Sequence, residues 1–254
     1  MKLNRWCLIL SILFTSFSGY AKNSEDLTVR VGGGITSPSE VGTIFDNPAS
    51  LVNRAKPILA GQLLLNDSFA SPTGFSGGGL MSNGPLGVGA MVTHVDQSNW
   101  ADAGLAGMIS AIHTSLGLGV YIPLSSLPGS ASLLYSFRTQ ISQSFVMGAV
   151  YRPLASLLQA GLSYSASNGL RGVLDAEMVT NKSSFRLKPG LGYEYGNLNL
   201  GLSYGFDLNG APAASTFGRD WAYGLGFRFS GKYAVSFSHN DRAFYLLELS
   251  GQVF

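Results

Sequence analysis

Leu198-Asn199-Leu200-Gly201-Leu202-Ser203-Tyr204-Gly205-Phe206-Asp207 alternates without a break. Even positions are large and apolar; odd positions are small or polar. A period of two belongs to a β-strand, whose successive side chains point to opposite faces. Phe185, Leu187, Pro189, Leu191, Tyr193 and Tyr195 repeat the pattern against Arg186, Lys188, Gly190, Gly192 and Glu194. So do Trp221, Tyr223, Leu225, Phe227 and Phe229 against Ala222, Gly224, Gly226, Arg228 and Ser230. In a soluble sandwich the greasy face turns inward and the outer face carries many charges. Here the second face holds mainly Gly, Ser and Ala with scattered charges. That is the pattern of a barrel with lipid outside and a polar interior. The fold class expected is all-β, a transmembrane antiparallel β-barrel.

Composition agrees. Of 254 residues only 12% are charged, 46% are hydrophobic and 33 are Gly. This is too apolar for a disordered chain. It lacks the basic surplus of a nucleic-acid binder, so no nucleic-acid partner is expected. One Cys excludes a disulfide scaffold. No stretch is long enough for a transmembrane helix.

The first residues carry an address. Lys2 and Arg5 precede an apolar run from Trp6 to Phe17, and Gly19-Tyr20-Ala21 offers small residues for cleavage. Residues 1–21 read as a secretory signal peptide. Removing Lys2 and Arg5 from 16 basic residues leaves 14 against 14 acidic ones, a net charge of zero. The expected location is the bacterial outer membrane, after cleavage of residues 1–21.

Residues 22–54 differ from the remainder of the chain. Ser37-Pro38-Ser39-Glu40 has capping-box spacing with Pro at the first helical position, which predicts a short helix through Phe45. Asn47-Pro48 should stop it, and a second short turn is expected over Pro48–Asn53. From residue 55 to 254 we read fourteen strands, with twelve as the alternative. They begin near 56, 74, 86, 103, 115, 130, 143, 157, 171, 185, 197, 221, 232 and 242. Tight-turn signals at Asn83-Gly84, Gly196-Asn197 and Gly231 then share one end, and the longer loops Asp96–Asp102 and Leu208–Asp220 share the other. Outward Tyr193, Tyr195, Tyr204, Phe206, Trp221 and Tyr223 suit an interfacial aromatic girdle. Phe254 ends a final amphipathic strand, as in the signal read by the barrel assembly machinery, although strict alternation puts it opposite Tyr245, Leu247, Leu249 and Val253.

Gly42-Thr43-Ile44-Phe45-Asp46-Asn47-Pro48-Ala49-Ser50-Leu51 resembles the Asn-Pro-Ala segment of the long-chain fatty-acid transporter (FadL-type) family of outer-membrane proteins. The resemblance implies that residues 22–54 form an N-terminal hatch with Asn47, Pro48 and Ala49 as its motif. A fourteen-stranded barrel would come after it, and the chain would be a short relative. It implies a channel for passive uptake of hydrophobic small molecules such as fatty acids. The physics agrees, because side chains alone cannot fill a barrel that wide. Lumen-facing Gly190, Gly192, Gly201, Gly205, Gly224 and Gly226 would let a plug approach the wall, or merely ease strand curvature.

Pro189-Gly190 interrupts a strongly alternating strand. Proline cannot donate to the ladder, and a closed barrel has no free edge to hide it. The two readings are a wall kink, which in that family opens laterally, and a plain bulge near a rim. The lumen should hold Arg138, Arg152, Arg186, Lys188 and Arg228, with Asp175, Glu177, Glu194, Asp207 and Glu248. Glu177 is expected to face Arg186, and Asp175 to face Lys188. These charges are either a basic patch for a carboxylate headgroup or cross-strand ion pairs that compensate one another. His113-Thr114-Ser115 has the His-x-Ser spacing of some barrel hydrolases but falls at a turn, so no enzyme is expected. No cofactor is implied, and His94 and His239 lack metal-ligand spacing. The partners expected are outer-membrane lipid and a hydrophobic ligand. A structural or secretion-assisting barrel with a protein partner is the alternative function.

Overall fold

A computed structural model describes residues 35–36, 38, 42–54, 56–65, 72–95, 98–124, 131–181, 184–208, 221–229, 231–239 and 245–253. The expected signal peptide, the capping box apart from Pro38, the first part of the expected hatch and Phe254 lie outside the described residues.

The chain is all-β. Its strands are β1 (Ile58–Leu65), β2 (Pro72–Asn83), β3 (Leu86–Val95), β4 (Ser98–Ile109), β5 (Thr114–Pro123), β6 (Ser132–Gln140), β7 (Phe145–Arg152) and β8 (Leu157–Ser165). They continue as β9 (Leu170–Val179), β10 (Ser184–Tyr195), β11 (Leu198–Tyr204), β12 (Phe206–Asp207), β13 (Trp221–Phe229), β14 (Tyr233–His239) and β15 (Tyr245–Gln252). β11 and β12 are two parts of one stave, broken at Gly205, so the wall has fourteen staves. Each stave pairs antiparallel with its sequence neighbours. β1 also pairs with β15, from Ile58↔Gln252 to Leu65↔Tyr245, and this closes the cylinder. Closure removes the free edge that an open sheet would expose.

Burial settles which face is which. Asn199 is 5% exposed while its neighbour Leu200 is 42% exposed. The same inversion runs round the barrel: Leu59, Phe75, Leu105, Leu191 and Leu225 face outward. A large apolar exterior of this kind is unstable in water and suited to acyl chains.

The fourteen staves agree with the alternation. The connections Gly84-Pro85, Gly196-Asn197 and Gly231-Lys232 all lie at one end, and Gly84, Gly196 and Gly231 take positive φ. The loop expected over Asp96–Asp102 is shorter than its polarity suggests. β4 already begins at Ser98, which pairs with Val95. Asp102 is polar because it faces the interior, not because it lies in a loop. The long connection after Leu208 stays at the opposite end from the tight turns.

Before β1, a four-residue helix α1 (Gly42–Phe45) leads to a 3₁₀ turn at Pro48–Leu51. The helix is shorter within the described residues than the capping box suggests, and the second turn stops at Leu51 rather than Asn53. Ile44, Leu51 and Val52 form one apolar cluster with Ile58, Ala60, Leu80 and Met91. Ile35 forms a second with Leu134 and Val150. These clusters lie inside the cylinder, on the inward positions of the wall.

Candidate functional site: a filled lumen and a break in the wall

Asn47, Pro48 and Ala49 are fully buried inside the barrel. Asn47 caps the 3₁₀ turn: its Oδ1 accepts from the Ala49 N–H at 3.1 Å. Its Nδ2 donates to the Ile35 carbonyl at 3.0 Å. One side chain thus ties two parts of the N-terminal segment together, using both the donor and the acceptor of its amide. The wall completes the bonding. The Ala49 N–H also donates to Ser136 Oγ at 3.0 Å, and Ser115 Oγ donates to the Ala49 carbonyl at 2.7 Å. The Ile35 N–H donates to Asp175 Oδ2 at 3.2 Å, and Arg138 Nε donates to the Thr36 carbonyl at 3.2 Å. Ser82 Oγ accepts from the Arg54 N–H at 2.5 Å and donates to the Arg54 carbonyl at 2.9 Å.

Close approach to the wall depends on missing side chains. A Cβ at Gly117 would collide with the Ala49 nitrogen, and one at Gly87 with the Leu51 carbonyl. Among the described residues, the close seats of the segment are therefore on β3 and β5. Gly192 and Gly205 instead give room to the guanidinium groups of Arg171 and Arg186.

The second feature is Pro189. Toward β9 the ladder passes through it, with Pro189↔Leu174 and Gly190↔Val173. Toward the β11–β12 stave the pairing runs from Tyr195↔Leu198 to Gly190↔Ser203, stops, and resumes at Leu187↔Phe206. Two residues lie between the last and the resumed pair on each strand, so no residue is inserted. The feature is a local interruption of the ladder in unchanged register, whereas an inserted bulge residue would have shifted the register. Lys188 and Pro189 stand opposite Gly205 and Tyr204 across it. Outside the interruption lies an apolar groove of about 550 Å³, lined among others by Leu174, Pro189, Leu191, Leu202, Tyr204 and Trp221.

Several of the charges inside are paired. Arg228 pairs with Glu194 at 2.5 Å, Lys188 with Glu177 at 3.7 Å and Arg152 with Asp46 at 3.8 Å. Arg152 also hydrogen-bonds Gln159, and Gln159 Nε2 donates to Glu177 at 3.0 Å. The backbone register is the expected one, with Arg186↔Glu177 and Lys188↔Asp175. The side chains cross it diagonally: Glu177 takes Lys188, and Asp175 takes the Ile35 N–H. Asp207 sits exposed, opposite Arg186. Glu248 lies opposite Gln62 and Ser236.

Three participants lie outside the residues that the pattern singles out. Asp46 falls at the end of the expected helix, Asp102 falls in an expected loop, and Arg171 is absent from the expected lumen charges although it is buried. Arg171 shares parity with Val173, Asp175 and Glu177, and that parity is the signal that places it inside. Ser115, half of the His-x-Ser spacing, spends its hydroxyl on Ala49, while His113 is exposed with positive φ at the adjoining turn.

No family model matches the sequence, and no curated protein matches it. Solved structures do match in fold. The toluene transporter TodX of P. putida is similar over 94% of this chain and 99% of its own, with TM-score 0.64 and 9% identity. The outer membrane protein Omp33 of Acinetobacter baumannii is similar over 78% of this chain and 98% of its own, with TM-score 0.56 and 12% identity. The fold is that of the outer-membrane β-barrels.

Proposed function

We propose that the protein is an outer-membrane channel through which hydrophobic small molecules enter passively, with residues 22–54 acting as a hatch. The observation that carries this reading is the interrupted ladder at Pro189 beside an apolar groove. A closed polar tube has no use for a gap that opens toward lipid, whereas an apolar solute leaving the lumen sideways needs one. The proposed path runs past a rearranged Asn47-Pro48-Ala49 segment and out between Pro189 and Tyr204. The tight-turn end, where β1 starts and β15 stops, would face the periplasm. The resemblance to the FadL-type family and the likeness to a toluene transporter support the reading. Fatty acids are the class that the resemblance brings.

The test is uptake by cells that produce or lack the protein, with toluene and a medium-chain fatty acid as solutes. The expected result is slower uptake of at least toluene on deletion, restored by the wild-type chain. Unchanged uptake together with a stably co-purifying protein would overturn the channel and favour a secretion-assisting barrel.

A further inference from the structure

A chamber of about 450 Å³ lies inside the barrel beside α1, between Asp46 and the inner wall. Its polar lining includes Asp46, Trp100, Asp102, Tyr121, Arg152 and Gln159, and Ile44 and Leu134 add apolar surface. This volume is in the range that holds a small organic molecule. Two properties select the ligand.

The first is charge. Arg152 is already engaged by Asp46 and Gln159. Asp102 Oδ2 is buried with no hydrogen-bond partner among the described residues. A buried acceptor left unserved is costly and calls for a donor. Two carboxylates and one guanidinium give the described lining a formal excess of one negative charge. A carboxylate ligand would add to that excess; a monocation would cancel it. The second is shape and surface. Trp100 and Tyr121 stand with ring centroids 6.0 Å apart and planes at 43°. Their faces suit a cation or an aromatic ring.

We infer that this chamber binds an organic ammonium ion on an apolar, aromatic body, with Asp102 accepting from the ammonium group. The inference deepens the channel reading and relies on it only for the route by which the ligand arrives. It reverses the sign of the headgroup: the lumen reads a cation, not an acid.

The full-length barrel in detergent micelles tests this by calorimetry and tryptophan fluorescence with 2-phenylethylamine hydrochloride and 3-phenylpropionate. These probes share a body and differ in head. The amine is expected to bind and perturb tryptophan emission, with the carboxylate at least about tenfold weaker. Asp102→Asn should weaken the amine by about tenfold. Equal binding of both probes by the wild type, no amine binding, or an Asp102→Asn protein with unchanged affinity would each overturn it. The wild-type comparison needs no variant to fold. Loss of toluene uptake belongs to the channel reading and leaves the micelle measurement standing.

Discussion

At the scale of single residues, the N-terminal segment is held by hydrogen bonds that side chains of a few types can make. Asn47→Ala removes an acceptor for Ala49 and a donor for Ile35, both buried. The expected cost is about 1–3 kcal/mol, read as a lower thermal midpoint of the detergent-solubilised barrel and faster proteolysis before Ile58. Asn47→Asp keeps the acceptor, loses the donor and buries a charge, so it should not rescue. Gly117→Val acts from the wall side. Its added carbons collide with the Ala49 nitrogen, and overpacking of this kind costs about 1–3 kcal/mol. Single-channel conductance should rise, because the segment is the part that can yield. Both effects belong to one contact, so the double variant should cost less than the sum of the singles.

At the scale of elements, the alternation is legible because a lipid-facing barrel writes it twice, once as grease and once as Gly and Ser. A run as long as Phe185–Tyr195 leaves no other period open. The start of β4 is not legible, since Asp102 has the chemistry of a loop residue and the environment of a lumen. Neither is the seat of the N-terminal segment. Ala49 and Ser115 are brought together only by ring closure, and many glycines have the right parity to face a plug. Pro189 is legible as an anomaly, and the ladder shows its consequence on the β11–β12 side only. Pro189→Ala supplies the missing N–H. The interrupted ladder should then close by pairing with the neighbouring stave at Tyr204. About 0.5–1.5 kcal/mol of added stability is expected for a restored hydrogen bond, with a higher thermal midpoint and slower toluene entry into proteoliposomes. A faster or unchanged rate would take the exit path away from this position.

At the scale of the whole molecule, the cylinder should persist when residues 22–54 are removed, because every stave pairs within the remaining chain. The shortened protein should keep its heat-modifiable migration in gels and its β-type circular dichroism. Its conductance for small ions should exceed that of the intact chain. Collapse of the barrel would instead make the segment part of the core rather than a stopper. The apolar exterior adds a further expectation: without detergent or lipid the refolded chain should aggregate.

The pairing of β1 with β15 sets the order in which such an object can be made. The seam joins the first stave to the last along eight residue pairs, so no ring exists until the final stave arrives. Whatever sits within must be enclosed at that moment, since the seat on β3 and β5 is built long before the seam is zipped. Weakening β15 would therefore leave the occupant perched on a curved, unclosed sheet. The defect would show as stalled biogenesis, with no change in how firmly Ala49 is gripped.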